Sequence, residues 1–160
     1  MRRDKDVIIE IARTKAREFE IPLSLILAVI KKESDFNNMT YRYEAGWKYH
    51  YNIETFSRMT KTSFNSEKHL QATSWGLMQV MGTVARELGF IGYFTELCDP
   101  GIGLHYGCKK LKLLLDKYST VNDAIASYNA GSPRRFPNGD YENQGYVDGV
   151  NENIKEFLKV

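Results

Sequence analysis

Apolar residues recur at three- and four-residue intervals through most of the chain, and polar or proline-bearing breaks divide that pattern into helices. Val7, Ile8, Ile11 and Ala12 predict an amphipathic helix from Asp4 to Glu18. The "EIPLS" stretch ends it, because Pro22 is tolerated only in the first turn of a following helix. That next helix runs from about Pro22 to Ser34, with Leu23, Ile26, Leu27 and Ile30 on one face. Three residues beyond Ile30 and seven beyond Ile26 comes Glu33, so a carboxylate lies on the apolar stripe while Lys31 and Lys32 point elsewhere.

Residues 37–74 lose the periodicity and are rich in Tyr, Asn, Thr and Ser. They are expected to form a long irregular functional loop, with a short helix around Glu54–Met59 and room for a small β-hairpin. In "WGLMQVMGTVARELGF" the spacing of Leu77, Met81, Val84 and Leu88 predicts a helix ended by Gly89. Asp99 and Pro100 open a further helix carrying Leu104, Cys108, Leu111 and Leu115. Thr120 caps "VNDAIASYNA", which Gly131 stops. A Gly/Pro/Asn loop then leads to a last helix, Tyr146 to Leu158, with Val147, Val150, Ile154 and Leu158 inward. The fold class is all-α or nearly so, in a single domain over residues 1–160.

Charge changes this picture little. With 22 basic and 20 acidic residues the net charge is +2, which gives no electrostatic case for nucleic acid as a partner. No apolar run approaches the roughly 20 residues of a membrane span, so no membrane insertion is expected. "MRRDKDVIIEIARTK" lacks the continuous apolar region and small-residue cleavage site of a signal peptide, so synthesis in the cytoplasm is expected. Cys98 and Cys108 read as reduced thiols. His50, His69 and His105 are scattered and no H-E-x-x-H occurs, so neither a metal nor another cofactor is expected, which sets aside a zinc peptidase or amidase.

Glu33 has two readings from the helix pattern alone: a capping or salt-bridged helix-end residue, or an acid whose proton is retained by an apolar setting. A free Glu titrates near 4.3, and desolvation raises that value. Glu44, between Tyr43 and Trp47, is the candidate second carboxylate, against a bland alternative as a solvated loop residue. Of the loop aromatics Tyr41, Tyr43, Trp47, Tyr49 and Tyr51, one or two are expected to meet a ligand. Asp35 reads as a turn or capping residue, and Ser34 as a helix-end hydrogen bonder.

Four islands, "ES" at 33–34, "WGLMQVM" at 75–81, "SYNAG" at 127–131 and "QGYV" at 144–147, resemble in order and character the catalytic domain of soluble lytic transglycosylases. That family has a lysozyme-like fold shared with goose-type lysozymes, and the resemblance spans roughly residues 20–158. It implies cleavage of peptidoglycan glycan strands, by a monomer, at the MurNAc-β-1,4-GlcNAc bond. Glu33 would be the general acid and base, and the product a 1,6-anhydro sugar. Gln79 and Met81 would line the sugar sites, and of the loop aromatics Trp47 and Tyr43 are the ones expected to join them. Tyr128 would direct its hydroxyl toward Glu33, and Asn129 would shape the same turn. A hydrolytic lysozyme using Glu33 and Glu44 is the alternative, and a non-catalytic glycan-binding or virion module a remote one. Two departures stand out. Met81-Gly82 replaces the family's Met-Pro, and 41 residues, Asp35 to Trp75, separate "ES" from "GLMQ". The "YRYEAGWKY" segment within them looks like the phage-encoded branch. Action on the wall would then follow release by lysis machinery or carriage on a virion.

Overall fold

The computed structural model describes residues 3–160. Helix α1 (Lys5–Phe19) starts at Asp4, whose side chain accepts from the Asp6 amide, and α2 (Leu23–Ser34) follows Pro22. After α2 come β1 (Tyr41–Tyr43), α3 (Ile53–Thr60), α4 (Phe64–Gln71), β2 (Thr73–Trp75), β3 (Val80–Met81) and α5 (Gly82–Glu87). A 3₁₀ turn at Phe94–Cys98 precedes α6 (Pro100–Lys117), α7 (Val121–Ala130) and α8 (Gln144–Phe157).

The second helix is the axis of the core. Leu25 through Ile30 are all buried, so α2 is enclosed on every side rather than along one stripe. Helices α1 and α8 pack on it, and Val147 and Val150 of α8 are fully buried. A helix buried all round has no solvent face until its end. Beyond Ser24 in its first turn, polar residues appear only in its last turn, Lys31 to Ser34, where α2 leaves the core.

The predicted helix over "WGLMQVMGTVARELGF" is corrected. Only Gly82–Glu87 is helical, and the first half forms the β2–β3 hairpin. The three strands order β1-β2-β3, all antiparallel, with Arg42 opposite Ser74 and Ser74 opposite Met81. Two left-handed residues in the connection break the helix: Gly76 at φ 70° and Gln79 at φ 45°. At Gly76 a Cβ would also lie 2.3 Å from the Leu97 carbonyl oxygen, so the turn requires glycine twice over.

The region read as an irregular loop is also corrected. It holds α3 where a short helix was expected, and a further helix, α4, whose buried residues are the polar Glu67 and Gln71. Beneath them Arg86 is 1% exposed and makes a double hydrogen bond to Glu67, at 2.9 and 3.1 Å. Its guanidinium lies 4.1 Å from the Phe94 ring centroid and 4.7 Å from that of Phe56. This ion pair supplies partners for charges that would be costly to bury singly. Both cysteines are buried and free, and burial pushes the Cys108 thiol up to about 12.

Candidate active site

Alternation along the strands gives the sheet two chemically different faces. Arg42, Ser74 and Met81 are cross-strand neighbours and form a row on one face. Tyr41, Trp75 and Val80 form the row on the other, where Tyr41 stacks on Trp75 and Trp75 on Phe94. The first row lines a cleft of about 580 Å³ whose walls also include Glu33, Glu44, Trp47, Gln79, Lys110, Tyr128 and Asn129.

Glu33 reaches this cleft because α2 ends there. Ser34 Oγ donates to the Leu77 carbonyl at 2.8 Å, fastening the helix end to the β2–β3 turn. Asp35 then reverses the chain in the left-handed region, φ 48°, its amide bonded to the Lys31 carbonyl. Both match their expected roles as hydrogen bonder and cap. Tyr146, near the start of α8, donates its hydroxyl to Glu33 Oε1 at 2.6 Å.

Burial holds the Glu33 carboxyl above the ordinary carboxylate range. The Tyr146 hydrogen bond and the charges of Lys110, Arg42 and Lys32 work against that rise without cancelling it. The arrangement can therefore keep a proton at a site facing the cleft and then accommodate the anion left when the proton is given up.

Residues 10–145 match the family described as Transglycosylase SLT domain. The chain belongs to this family. Relatives of this SLT domain include "Protein IpgF" of Shigella sonnei and of Shigella flexneri, each 28% identical over 120 residues. These alignments cover 73% of this chain and 63% of either relative. The protein "Transglycosylase" of Enterobacteria phage PRD1 is 30% identical over 95 residues, 59% of this chain and 34% of the phage protein. The chain thus spans less than two thirds of the length of the curated relatives it matches.

The SLT domain gathers most of the candidate residues and rearranges two. Tyr128 lines the cleft, but its hydroxyl donates to the Met78 carbonyl at 2.8 Å rather than pointing at Glu33. Tyr146, from the "QGYV" island, makes the contact expected of Tyr128. Tyr43 falls outside the cleft, because alternation puts it on the face of Tyr41, and its ring stacks on His69. Trp47 and Tyr49 are the two loop aromatics that reach the cleft wall. The Trp47 indole is fixed by the Thr83 hydroxyl at 3.1 Å.

Gln79 lines the cleft with its amide anchored, Nε2 donating to the carbonyls of Gly76 and Thr40 while Oε1 accepts from Ser74. Asn129 Oδ1 accepts from Asn143, so the end of α7 is joined to the loop before α8. Glu44 is in the cleft wall and ion-paired with Arg42 at 2.6 Å. Arg42 and Lys110 were not among the expected site residues. Arg42 lay inside the quoted "YRYEAGWKY", where strand alternation was the signal that could have found it.

The Met81-Gly82 departure has a structural counterpart. A Cβ at Gly82 would stand 2.3 Å from the Leu70 carbonyl oxygen, at the end of α4. The extra helix of the long insertion presses directly on the position where the family has proline, and only glycine fits beneath it.

Proposed function

We propose that this SLT domain is a lytic transglycosylase that cleaves the MurNAc-β-1,4-GlcNAc bond of peptidoglycan, with Glu33 as general acid and then base. Glu33 gives its proton to the bridging oxygen as the C1–O bond breaks. The resulting carboxylate takes the proton of the C6 hydroxyl, whose oxygen closes on C1 to form the 1,6-anhydro sugar. Atoms balance with no water consumed. Such chemistry needs one carboxylate that is protonated first and tolerated as an anion afterwards. The observation that carries the reading is the Glu33 environment: a carboxyl raised by burial, steadied by Tyr146, at the end of the core helix and open to the cleft.

Glu44 favours a second reading, since a hydrolase of this kind would use another carboxylate to activate water. Glu44 lines the same cleft. Its pairing with the exposed Arg42 supports a lesser role, in holding the cleft wall.

The products separate the two. An anhydro end is lighter than a reducing end by one water, about 18 Da, because the C6 hydroxyl replaces water as nucleophile. Purified peptidoglycan digested by the protein and weighed before borohydride reduction is expected to yield mainly anhydro muropeptides that resist reduction. Predominantly reducing ends would overturn the transglycosylase reading in favour of the hydrolase.

A further inference from the structure

The proposed reaction leaves Lys110 without a task, yet its placement differs from that of the lysines around it. Lys109 reaches the Leu88 carbonyl and Lys112 pairs with Asp116 on its own helix. Lys110 instead turns under Tyr128. Its Nζ donates to the Tyr128 carbonyl at 2.7 Å and lies 3.9 Å from the centroid of the Tyr128 ring. A carbonyl lone pair and an aromatic face are both electron-rich, so the ammonium is held from two sides. The same side chain forms part of the cleft wall that contains Glu33.

The titratable groups that face Glu33 come from five elements. Lys32 is on its own helix, Arg42 on β1, Lys110 on α6, Tyr128 on α7 and Tyr146 on α8. Lys32 is exposed, and Arg42 is 68% exposed and occupied with Glu44. Water and salt screen charges of that kind. Lys110, half-buried, is the cation of the three that is held from two sides.

We propose that Lys110 is a positioning residue for Glu33: its clamped ammonium is the fixed counter-charge that readies the acid to part with its proton, and it sets the pH above which the enzyme fails. This rests on the reading of Glu33 as the acid. A buried carboxyl alone would hold its proton too firmly to be a good donor, and its anion would be poorly tolerated between the two steps. A fixed positive charge nearby corrects both faults. The effect is mutual. Burial brings the Lys110 ammonium down to about 8, while the Glu33 carboxylate acts in the opposite direction.

The test reads the coupling without relying on activity. The Glu33 carboxyl is titrated by carbon-13 NMR in the wild-type protein, in Lys110→Met and in Lys110→Arg. Lys110 Nζ is titrated in the wild-type protein and in Glu33→Gln. The Glu33 midpoint is expected to rise in Lys110→Met and to return toward the wild-type value in Lys110→Arg. The Lys110 midpoint is expected to fall in Glu33→Gln, a nearly isosteric variant expected to keep its shape even if Lys110→Met does not fold. In rate measurements on peptidoglycan from pH 5 to 10, the alkaline limb of Lys110→Met should move to higher pH as the overall rate drops. Titrations that shift in a protein unable to cleave peptidoglycan would leave the coupling standing and remove the proposed function. An unmoved Lys110 midpoint in Glu33→Gln, or an unmoved Glu33 midpoint in folded Lys110→Met, would overturn the coupling itself.

Discussion

The Tyr146 hydroxyl meets Glu33 Oε1 at 2.6 Å across 113 positions of sequence. Two helices that pack along one another in the core thus end in a single hydrogen bond at the cleft. The bond fixes the carboxyl rotamer and stabilises its anion, in opposition to the burial that stabilises its acid form. Glu33 is balanced between the two, and several outcomes follow.

Glu33→Gln is expected to keep the fold and to lose at least about 100-fold of the rate of peptidoglycan clearance, the lower range for removing a general acid and base. Turbidity assays on purified walls measure it. Retention of more than about a tenth of the rate would take the acid role away from Glu33.

The same variant should gain stability at neutral pH. A carboxyl whose folded pKa is raised binds more protons folded than unfolded between the two values, so stability declines as pH rises through that window. Below the ordinary Glu value, about 4.3, both states are protonated and nothing is lost. Melting curves of Glu33→Gln and wild type should therefore coincide near pH 3.5 and separate by pH 7, with the variant higher. A lower melting point for Glu33→Gln at pH 7 would contradict this account.

Tyr146→Phe removes one hydrogen bond to a charged group, which on average contributes about 1.5–3 kcal/mol. A rate loss of roughly tenfold or more is expected at the optimum. Because the lost bond favoured the carboxylate, the Glu33 pKa rises further and the alkaline limb moves to higher pH. A pH–rate profile reads both effects, and an alkaline limb that stays in place would exclude this role for Tyr146.

Glu44→Gln is expected to cost less than about threefold in rate, since its partner Arg42 is exposed and such pairs contribute roughly 0–1 kcal/mol. A loss matching that of Glu33→Gln would instead mark Glu44 as the base of a hydrolase.

Arg86→Met should be the most damaging of these changes to the fold, because it leaves Glu67 buried without its cation. Breaking a buried pair from one side costs about 3–5 kcal/mol. Urea denaturation checks the figure, and a loss below about 1 kcal/mol would mean that Glu67 is not confined as described.

What the sequence disclosed follows the reach of local signals. Glu33 was legible because helical spacing alone puts it on the stripe of Ile26 and Ile30. The caps at Asp99 and Thr120 were legible because each is decided within three residues. The β2–β3 hairpin was not, since Leu77, Met81, Val84 and Leu88 also satisfy a helical period. The choice was made by pairing with the distant Tyr41–Tyr43 and by the left-handed turn. Helix α4 escaped because its buried positions are Glu67 and Gln71, which hydrophobic periodicity cannot register. Its one local sign was Ser63, which does cap it. Lys110 stood among other lysines in "KKLK", and nothing short of the tertiary fold distinguishes it from them.

The cross-strand row of Arg42, Ser74 and Met81 makes the cleft wall a matter of parity. Side chains on a strand alternate, so one residue removed between Thr40 and Arg42, with the pairing to β2 kept, would turn Arg42 away and present an aromatic ring in its place. Substitutions can tune a charged wall by small steps, whereas a one-codon deletion would exchange it at once for an aromatic shelf suited to stacking on sugar rings. The parity of this short strand, rather than any one side chain, decides which of its two rows the cleft receives.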